Sequence, residues 1–146
     1  MQESPIKFFS EDISYVLRNK TQLRSWLVKC ALKKKKKINS LNYIFCSDPF
    51  LKKMNKQYLN HDYLTDIITF PTSEPSDKNI NGDIYISIDR IKDNAFQYGV
   101  SITDELHRVM VHGLLHLCGY GDKSDREKSV MRKQEDESLK ARGWRN

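Results

Sequence analysis

The sequence lacks any apolar run that approaches the length of a membrane span. A helix that crosses a bilayer needs roughly 20 consecutive apolar residues, and the apolar stretches in these 146 residues are far shorter. The first residues, MQESPIKFFSED, also lack the basic and then apolar layout of a signal peptide. We therefore expect a soluble cytoplasmic protein with no membrane partner.

Cysteine is scarce, and no internal repeat is found. The three cysteines, Cys30, Cys46 and Cys118, are odd in number and widely spaced, which argues against a disulfide framework and favours free thiols in a reducing compartment. Charged residues make up 30% of the chain and hydrophobic residues 38%, so neither a disordered nor a fibrous class fits. A chain of this length can bury one sizeable core, and we expect a single domain over residues 1–146.

Positive charge is present in excess. The formal net charge is +6, and lysines and arginines placed near phosphates release condensed counterions, so a polyanionic partner is favoured. The run Lys33 to Lys37 carries part of this charge. We interpret the run as the solvated end of a helix, where cations are stabilised by the negative end of the helix dipole. A dedicated RNA contact is the alternative.

Hydrophobic periodicity and capping residues predict the element order β, α, β, α, β, β, α, α, α. Strand patterns lie at IKFF (residues 6–9) and at residues 41–47, 65–70 and 82–88. Helix signals begin at Thr21, Asp48, Asp89, Ser101 and Ser124. The pattern predicts an α/β (α+β) fold class, with a mixed sheet of about four strands packed against about five helices.

The stretch HGLLHLCGYGD, residues 112–122, contains the candidate metal site. His112 and His116 are one helical turn apart and therefore share a helix face. Gly119 ends the helix and lets the chain turn back, so that Asp122 can supply a third ligand. The spacing is that of the metzincin zinc motif with aspartate in the third position, and it leaves a fourth position for water. We predict one zinc ion per chain on His112, His116 and Asp122.

Gly113 stands where zinc proteases of that motif have a glutamate as general base. Glycine can neither accept nor deliver a proton. The sequence therefore argues against peptide hydrolysis by the usual route of these proteases.

The same stretch resembles the signature H-G-x-L-H-L-x-G-Y-D-H of the YbeY family, and HGLLHLCGY matches it over residues 112–120. The segments MNKQYLNHDYLTDIITFP (residues 54–71) and NGDIYIS (residues 81–87) are similar to two further family blocks, and Glu105 fits as well. The resemblance implies a mixed α/β fold with a zinc site in a cleft. It also implies a metal-dependent endoribonuclease that acts on single-stranded RNA, in the maturation of 16S ribosomal RNA and in ribosome biogenesis.

The chain departs from the family pattern at two positions. Asp122 replaces the third histidine, and the alternative alignment would place Lys123 there, whose ammonium cannot ligate a cation. With a carboxylate in the set, the site carries less net positive charge, which weakens acidification of a bound water. Leu59 follows Tyr58 where the family has an arginine, a candidate phosphate contact in relatives.

Two more residues are candidates for the site, while the catalytic group itself and the oligomeric state stay open. Arg108 lies one turn before His112 on the same helix face, where its guanidinium can grip a phosphate; an ion pair with Glu105 is the alternative. Asp66 either contributes to the cleft or caps a strand. Two other functions compete with the endoribonuclease: a non-enzymatic ribosome-associated assembly factor with a structural metal, and a zinc hydrolase of another substrate.

Overall fold

A computed structural model describes residues 4–61, 65–74 and 76–144, so residues 62–64 of the family-like block at 54–71 lie outside the described residues. Four strands and five helices follow in the predicted order. They are β1 (Ile6–Ser10), α1 (Lys20–Lys33), β2 (Lys37–Cys46), α2 (Asp48–Leu59), β3 (Ile67–Pro71), β4 (Asn79–Ser87), α3 (Ile88–Tyr98), α4 (Ile102–Leu117) and α5 (Asp125–Lys140). The predicted α/β class is confirmed. No helix in the described ranges is both long and apolar enough to cross a bilayer.

The strands form one mixed sheet in the order β1-β2-β4-β3. β2 pairs in parallel with both β1 and β4, while β3 runs antiparallel to β4 and forms one edge. Side chains alternate between the two faces of a strand. On one face Ile84 and Ile86 join the main core with α1 and α4. On the other face Ile68 joins a smaller cluster with Leu51 of α2, so helices cover both sides of the sheet.

Helix α4 is the most deeply buried helix of the described chain, with ten of its 16 residues buried. It starts at the cap Ser101, whose hydroxyl accepts a hydrogen bond from the N–H of Asp104 at 3.0 Å. It ends before Gly119, which has a positive φ of 105°. The predicted glycine stop is therefore present, and it fixes where the chain leaves the core.

Several element boundaries differ from those expected. α1 begins at Lys20 with Asn19 as its cap, not Thr21, and α2 is capped by Ser47, whose hydroxyl accepts from the N–H of Phe50. The lysine run does not simply finish α1. The helix stops at Lys33, and β2 already begins at Lys37 because its N–H donates to the carbonyl of Lys78 at 2.8 Å. The three cysteines are free, as expected.

The end of α5 is fastened to α4 by Arg142. Its Nη1 donates to Nδ1 of the buried His107 at 2.8 Å and lies 3.0 Å from Oδ1 of Asp104. The imidazole also packs against Trp26 and Trp144, with ring centroids 5.8 Å away in each case. Burial, followed by the charge of Arg142, lowers the pKa of His107 to about 4. His107 is therefore a neutral core residue.

We predict that His107 makes the fold less stable in mild acid. An unfolded histidine takes up a proton below about pH 6.5, whereas the folded His107 stays neutral down to about pH 4, so the free energy of unfolding falls as the pH drops through this window. Between about pH 7 and about pH 5 the loss is roughly 2 kcal/mol. Urea unfolding of the parent and of His107→Gln should show a smaller pH dependence in the variant. Parallel pH profiles would contradict the assignment.

Candidate metal centre

The last turns of α4 bring the two predicted histidines together. His112 and His116 are half-buried, and their rings meet edge to face with centroids 4.5 Å apart. The two Nε2 atoms lie 3.0 Å from each other. This is the expected consequence of an i, i+4 spacing on one helix face. Two nitrogen atoms therefore point at one location beside the end of the helix.

The turn after α4 brings Asp122 back to the same location. The N–H of Gly119 donates to the carbonyl of His116 at 2.9 Å, and that of Tyr120 donates to Leu115 at 3.0 Å, so the turn is closed by backbone hydrogen bonds. Oδ2 of Asp122 lies 3.3 Å from Nε2 of His116 and 3.4 Å from Nε2 of His112. All three residues predicted as ligands are thus brought together.

The start of α5 holds this loop in place. Ser124 and Glu127 form a complete capping box, and the Glu127 carboxylate also accepts a hydrogen bond from the N–H of Lys123. A Cβ on Gly121 would lie only 2.8 Å from Cδ of Glu127. A side chain at position 121 would therefore require the Glu127 carboxylate to shift. The loop that carries Asp122 is therefore held at its C-terminal end by the start of α5.

The three donor atoms fit a tetrahedral metal ion. A tetrahedron with bonds of about 2.0 to 2.1 Å to zinc has ligand atoms about 3.3 Å apart. The observed separations among the histidine Nε2 atoms and the Asp122 oxygen are 3.0, 3.3 and 3.4 Å. Two imidazoles and a carboxylate suit zinc and other divalent transition metals. His112, His116 and Asp122 can therefore hold a metal ion and leave one position open.

Glu135 of α5 orients the first of these histidines. Its Oε2 lies 2.7 Å from Nδ1 of His112. A proton on Nδ1 that is held by a carboxylate leaves the Nε2 lone pair facing the metal position. Burial by itself would raise the pKa of Glu135, but hydrogen bonds from His112 and Arg108 keep it below its ordinary value. Glu135 is therefore a charged acceptor inside the structure.

Glu135 is not predicted by the motifs of the sequence. Its signal is a weak one: Glu135 lies one helical turn after Met131, and these two are the buried residues of α5. An acidic residue in the apolar stripe of a helix needs a buried partner. That partner, His112, is distant in sequence.

Arg108 also pairs with α5. Its Nη1 lies 2.9 Å from Oε1 of Glu135, and its Nη2 lies 2.8 Å from Oδ1 of Asp136. The alternative predicted from the sequence is an ion pair with Glu105 on the same helix. In the structure Arg108 instead pairs with carboxylates of a neighbouring helix. Arg108 thus positions Glu135, and the Glu135 carboxylate in turn orients His112.

Two cavities meet at the histidines. The larger, about 640 Å³, runs between β3 and the end of α4, and the smaller, about 260 Å³, lies between α4 and α5. Asp66, His112 and Asp122 line both cavities. Burial raises the pKa of Asp66, and Nδ2 of Asn94 donates to its Oδ2 at 3.4 Å. Asp66 therefore lies in the cleft as well as directly before β3.

Packing beside the larger cavity explains why residue 113 is a glycine. Leu59 reduces the positive charge of the cavity lining. A Cβ at residue 113 would meet Cδ1 of Ile84 at 2.8 Å and Cδ1 of Ile67 at 3.0 Å, so a glutamate side chain here would point into the sheet and away from the cleft. Leu59 lines the cavity where the family arginine is expected. Among the described residues that line this cavity, Lys123 supplies the one lysine or arginine charge.

Fold and site together define a mixed α/β protein in which two histidines and one aspartate that could hold a metal ion lie beside a cleft. The chain belongs to the YbeY family: the family model described as Endoribonuclease YbeY matches residues 6–143. The resemblance stated from the motifs is thereby confirmed.

Similar proteins cover nearly the whole chain. The protein named Endoribonuclease YbeY from Cytophaga hutchinsonii is 56% identical over 97% of this chain and 99% of its own length. The protein of that name from Flavobacterium psychrophilum is 47% identical over 90% of this chain and 93% of its own. Among solved structures, the solution structure of a Thermotoga maritima protein superposes with a TM-score of 0.65 at 25% identity, covering 92% of this chain and 87% of that one.

We predict that Glu135→Gln weakens metal binding. Loss of the carboxylate removes the charged partner of His112 Nδ1, and loss of such a partner commonly costs about 10- to 100-fold in metal affinity. Competition with a chromogenic chelator measures the affinity without reference to activity. Glu137→Gln, an exposed change on the same helix, is the matched control. Equal affinities in both variants would show that Glu135 does not orient the ligand.

Proposed function

We propose that this chain, acting as one domain over residues 1–146, is a zinc-dependent endoribonuclease that cuts single-stranded RNA in the cytoplasm. We propose further that its substrate is the 16S ribosomal RNA precursor and that it acts in association with the ribosome. The observation that carries the proposal is the convergence of His112, His116 and Asp122 at the mouth of a cleft, in a member of a family named for this activity. The net charge of +6 is consistent with a polyanionic substrate.

The metal site supplies the electrophilic part of the chemistry. His112, His116 and Asp122 would hold the zinc ion, which would supply Lewis acidity toward a phosphate oxygen and toward water. The protein contributes orientation: Glu135 fixes the tautomer of His112, and the closed turn at Gly119 fixes Asp122. The carboxylate lowers the net charge of the site, so we expect a more modest rate than with three histidines.

Asp66 is the proposed proton acceptor of the reaction. It lines the cleft together with His112 and Asp122, and its burial raises its pKa. A carboxylate with a raised pKa is a better general base near neutral pH than an exposed one. Its position before β3 also suits the alternative role as a cap.

Arg108 is the proposed phosphate contact on the side of the smaller cavity, which it lines together with His112. A guanidinium has five N–H donors, and its two ion pairs with Glu135 and Asp136 leave others available. It would partly replace the arginine that is absent at Leu59.

The second candidate function is a non-enzymatic ribosome assembly factor with a structural metal. The observation in its favour is Leu59, which presents an apolar side chain to the cleft where relatives of the family carry an arginine. Such a protein would bind RNA and metal but would not cut.

The primary experiment separates metal binding from catalysis. We predict that freshly purified protein contains one zinc ion per chain and cuts single-stranded RNA, and that a chelator abolishes the cutting. Asp122→Ala should lose both metal and cutting, whereas Asp122→His should retain metal. Asp66→Asn should retain metal but cut more slowly. Metal-loaded protein that binds RNA without cutting it would favour the assembly factor, and an unchanged rate in Asp66→Asn would leave Asp66 with a capping role.

A second prediction distinguishes the two roles of Arg108. As a phosphate contact, Arg108→Ala should reduce the salt dependence of single-stranded RNA binding by about 0.7 in the log–log slope. Arg126→Ala, on the exposed start of α5, is the control with the same loss of charge. If Arg108→Ala keeps the parental slope and instead lowers metal affinity and the melting temperature, Arg108 acts only by positioning Glu135.

A further inference from the structure

A second charged surface lies next to the metal centre but outside its cleft. It is built on the lysine turn, which we define as Lys33–Lys37, between α1 and β2. The turn has a fixed backbone: the N–H groups of Lys34 and Lys36 both donate to the carbonyl of Ala31, at 2.9 and 3.0 Å. The lysines are therefore presented by an ordered backbone.

The turn keeps a lysine at a position that favours glycine. Lys35 has a φ of 61°, in the left-handed region. An L-residue with a Cβ costs roughly 1 to 2 kcal/mol there, and glycine is the usual solution. Backbone strain of this kind is commonly found at functional sites. Here the side chain is an exposed ammonium.

The charges at the tip of the turn have no carboxylate partner within the described part of the chain. No ion pair among the described residues includes Lys33, Lys35 or Lys37. The neighbouring lysines have other polar partners: Nζ of Lys34 donates to Gln134, and Nζ of Lys36 donates to the carbonyl of Asp77. Positive charge is thus concentrated at this turn.

The lysine turn faces the turn that follows α4. Lys33, Lys34 and Lys35 enclose a groove of about 450 Å³ together with residues 118–120, which we call the lysine groove. Nζ of Lys34 lies 5.3 Å from the centroid of the Tyr120 ring. The groove therefore has an aromatic side chain beside its cations.

The lysine groove and the candidate metal centre share the turn that follows α4. Gly119 is hydrogen-bonded to the carbonyl of the ligand His116, and Tyr120 precedes the ligand Asp122 by two residues, so their Cα atoms are at most about 8 Å apart. The turn after α4 therefore contributes residues to the lysine groove and a candidate ligand to the metal centre.

We propose that the lysine groove binds the phosphodiester backbone of single-stranded RNA next to the scissile position. The proposal rests on the proposed function and assigns it a binding surface beyond the cleft. Exposed lysines neutralise phosphates, and an aromatic ring offers a face for an unpaired base. The aromatic ring beside the cations in one groove favours a nucleic acid strand, because unpaired bases stack on aromatic faces.

Two variants test the groove by RNA affinity. Lys33→Gln/Lys35→Gln removes two charges from it, and Lys92→Gln/Lys140→Gln removes two charges from exposed positions elsewhere. Binding of metal-loaded protein to a labelled single-stranded RNA of about 12 nucleotides is measured by anisotropy over a range of salt. The groove variant should show a slope smaller by about 1.4, while the control keeps the parental slope. Equal slopes in the two variants would overturn the proposal.

A third variant changes the residue of the turn that has the left-handed backbone. Lys35→Gly removes the charge and relieves the left-handed backbone, so it should raise the melting temperature while it weakens RNA binding. Unchanged RNA binding would count against the groove. Loss of binding to phosphatidylserine vesicles together with a parental RNA slope would also overturn the proposal and assign the surface to lipid.

The two proposals can fail separately. Protein that binds RNA through the groove but does not cut it contradicts the endoribonuclease alone. If a chelator abolishes RNA cutting by the parent protein but the groove variant binds RNA with the parental slope, only the groove proposal is contradicted.

Discussion

The close approach of α4 to β3 and β4 at Gly113 is the contact on which the rest of the structure depends. Without a Cβ, this residue lets the helix lie directly against Ile84 and Ile67. The nearby His112 and His116 are thereby placed at the border of the sheet, where Asp66 directly precedes the edge strand. A bulkier residue would push the helix outwards and separate the imidazoles from the cleft. Packing in the core therefore sets the geometry of the metal centre.

A chain of charges connects this core to the outer helix α5. His112, Glu135, Arg108 and Asp136 follow one another through contacts of 2.7 to 2.9 Å. Removal of one member leaves a buried partner without its counterpart, which costs more than the pair contributes. The arrangement makes α5 part of the site although none of its residues is a predicted ligand. It also explains why a largely polar helix stays docked on α4.

Periodicity and motif spacing predicted most of this structure. The nine elements and their order follow from hydrophobic patterns, and the three predicted ligands from one helical turn plus a glycine stop, because these are local rules. Glu135 and the partners of Arg108 escaped prediction because they depend on how α5 packs on α4, which no local pattern encodes. The helix dipole and the solvation of charge runs favour a helix end at Lys33–Lys37, and the turn itself escapes prediction because a left-handed lysine is a rare conformation.

The ligands of the centre differ in how firmly the fold specifies them. His112 and His116 are half-buried on a helix whose buried residues fill the core, so packing in the interior fixes the position of their backbone. Asp122 lies on a loop that is anchored only at its two ends, by Gly119 and by Glu127. Evolution can therefore exchange the third ligand at little cost to folding. A carboxylate in place of an imidazole at this position changes the charge of the site and leaves the core helix as it is, so the electrostatics of the centre and the stability of the fold are set by different parts of the chain.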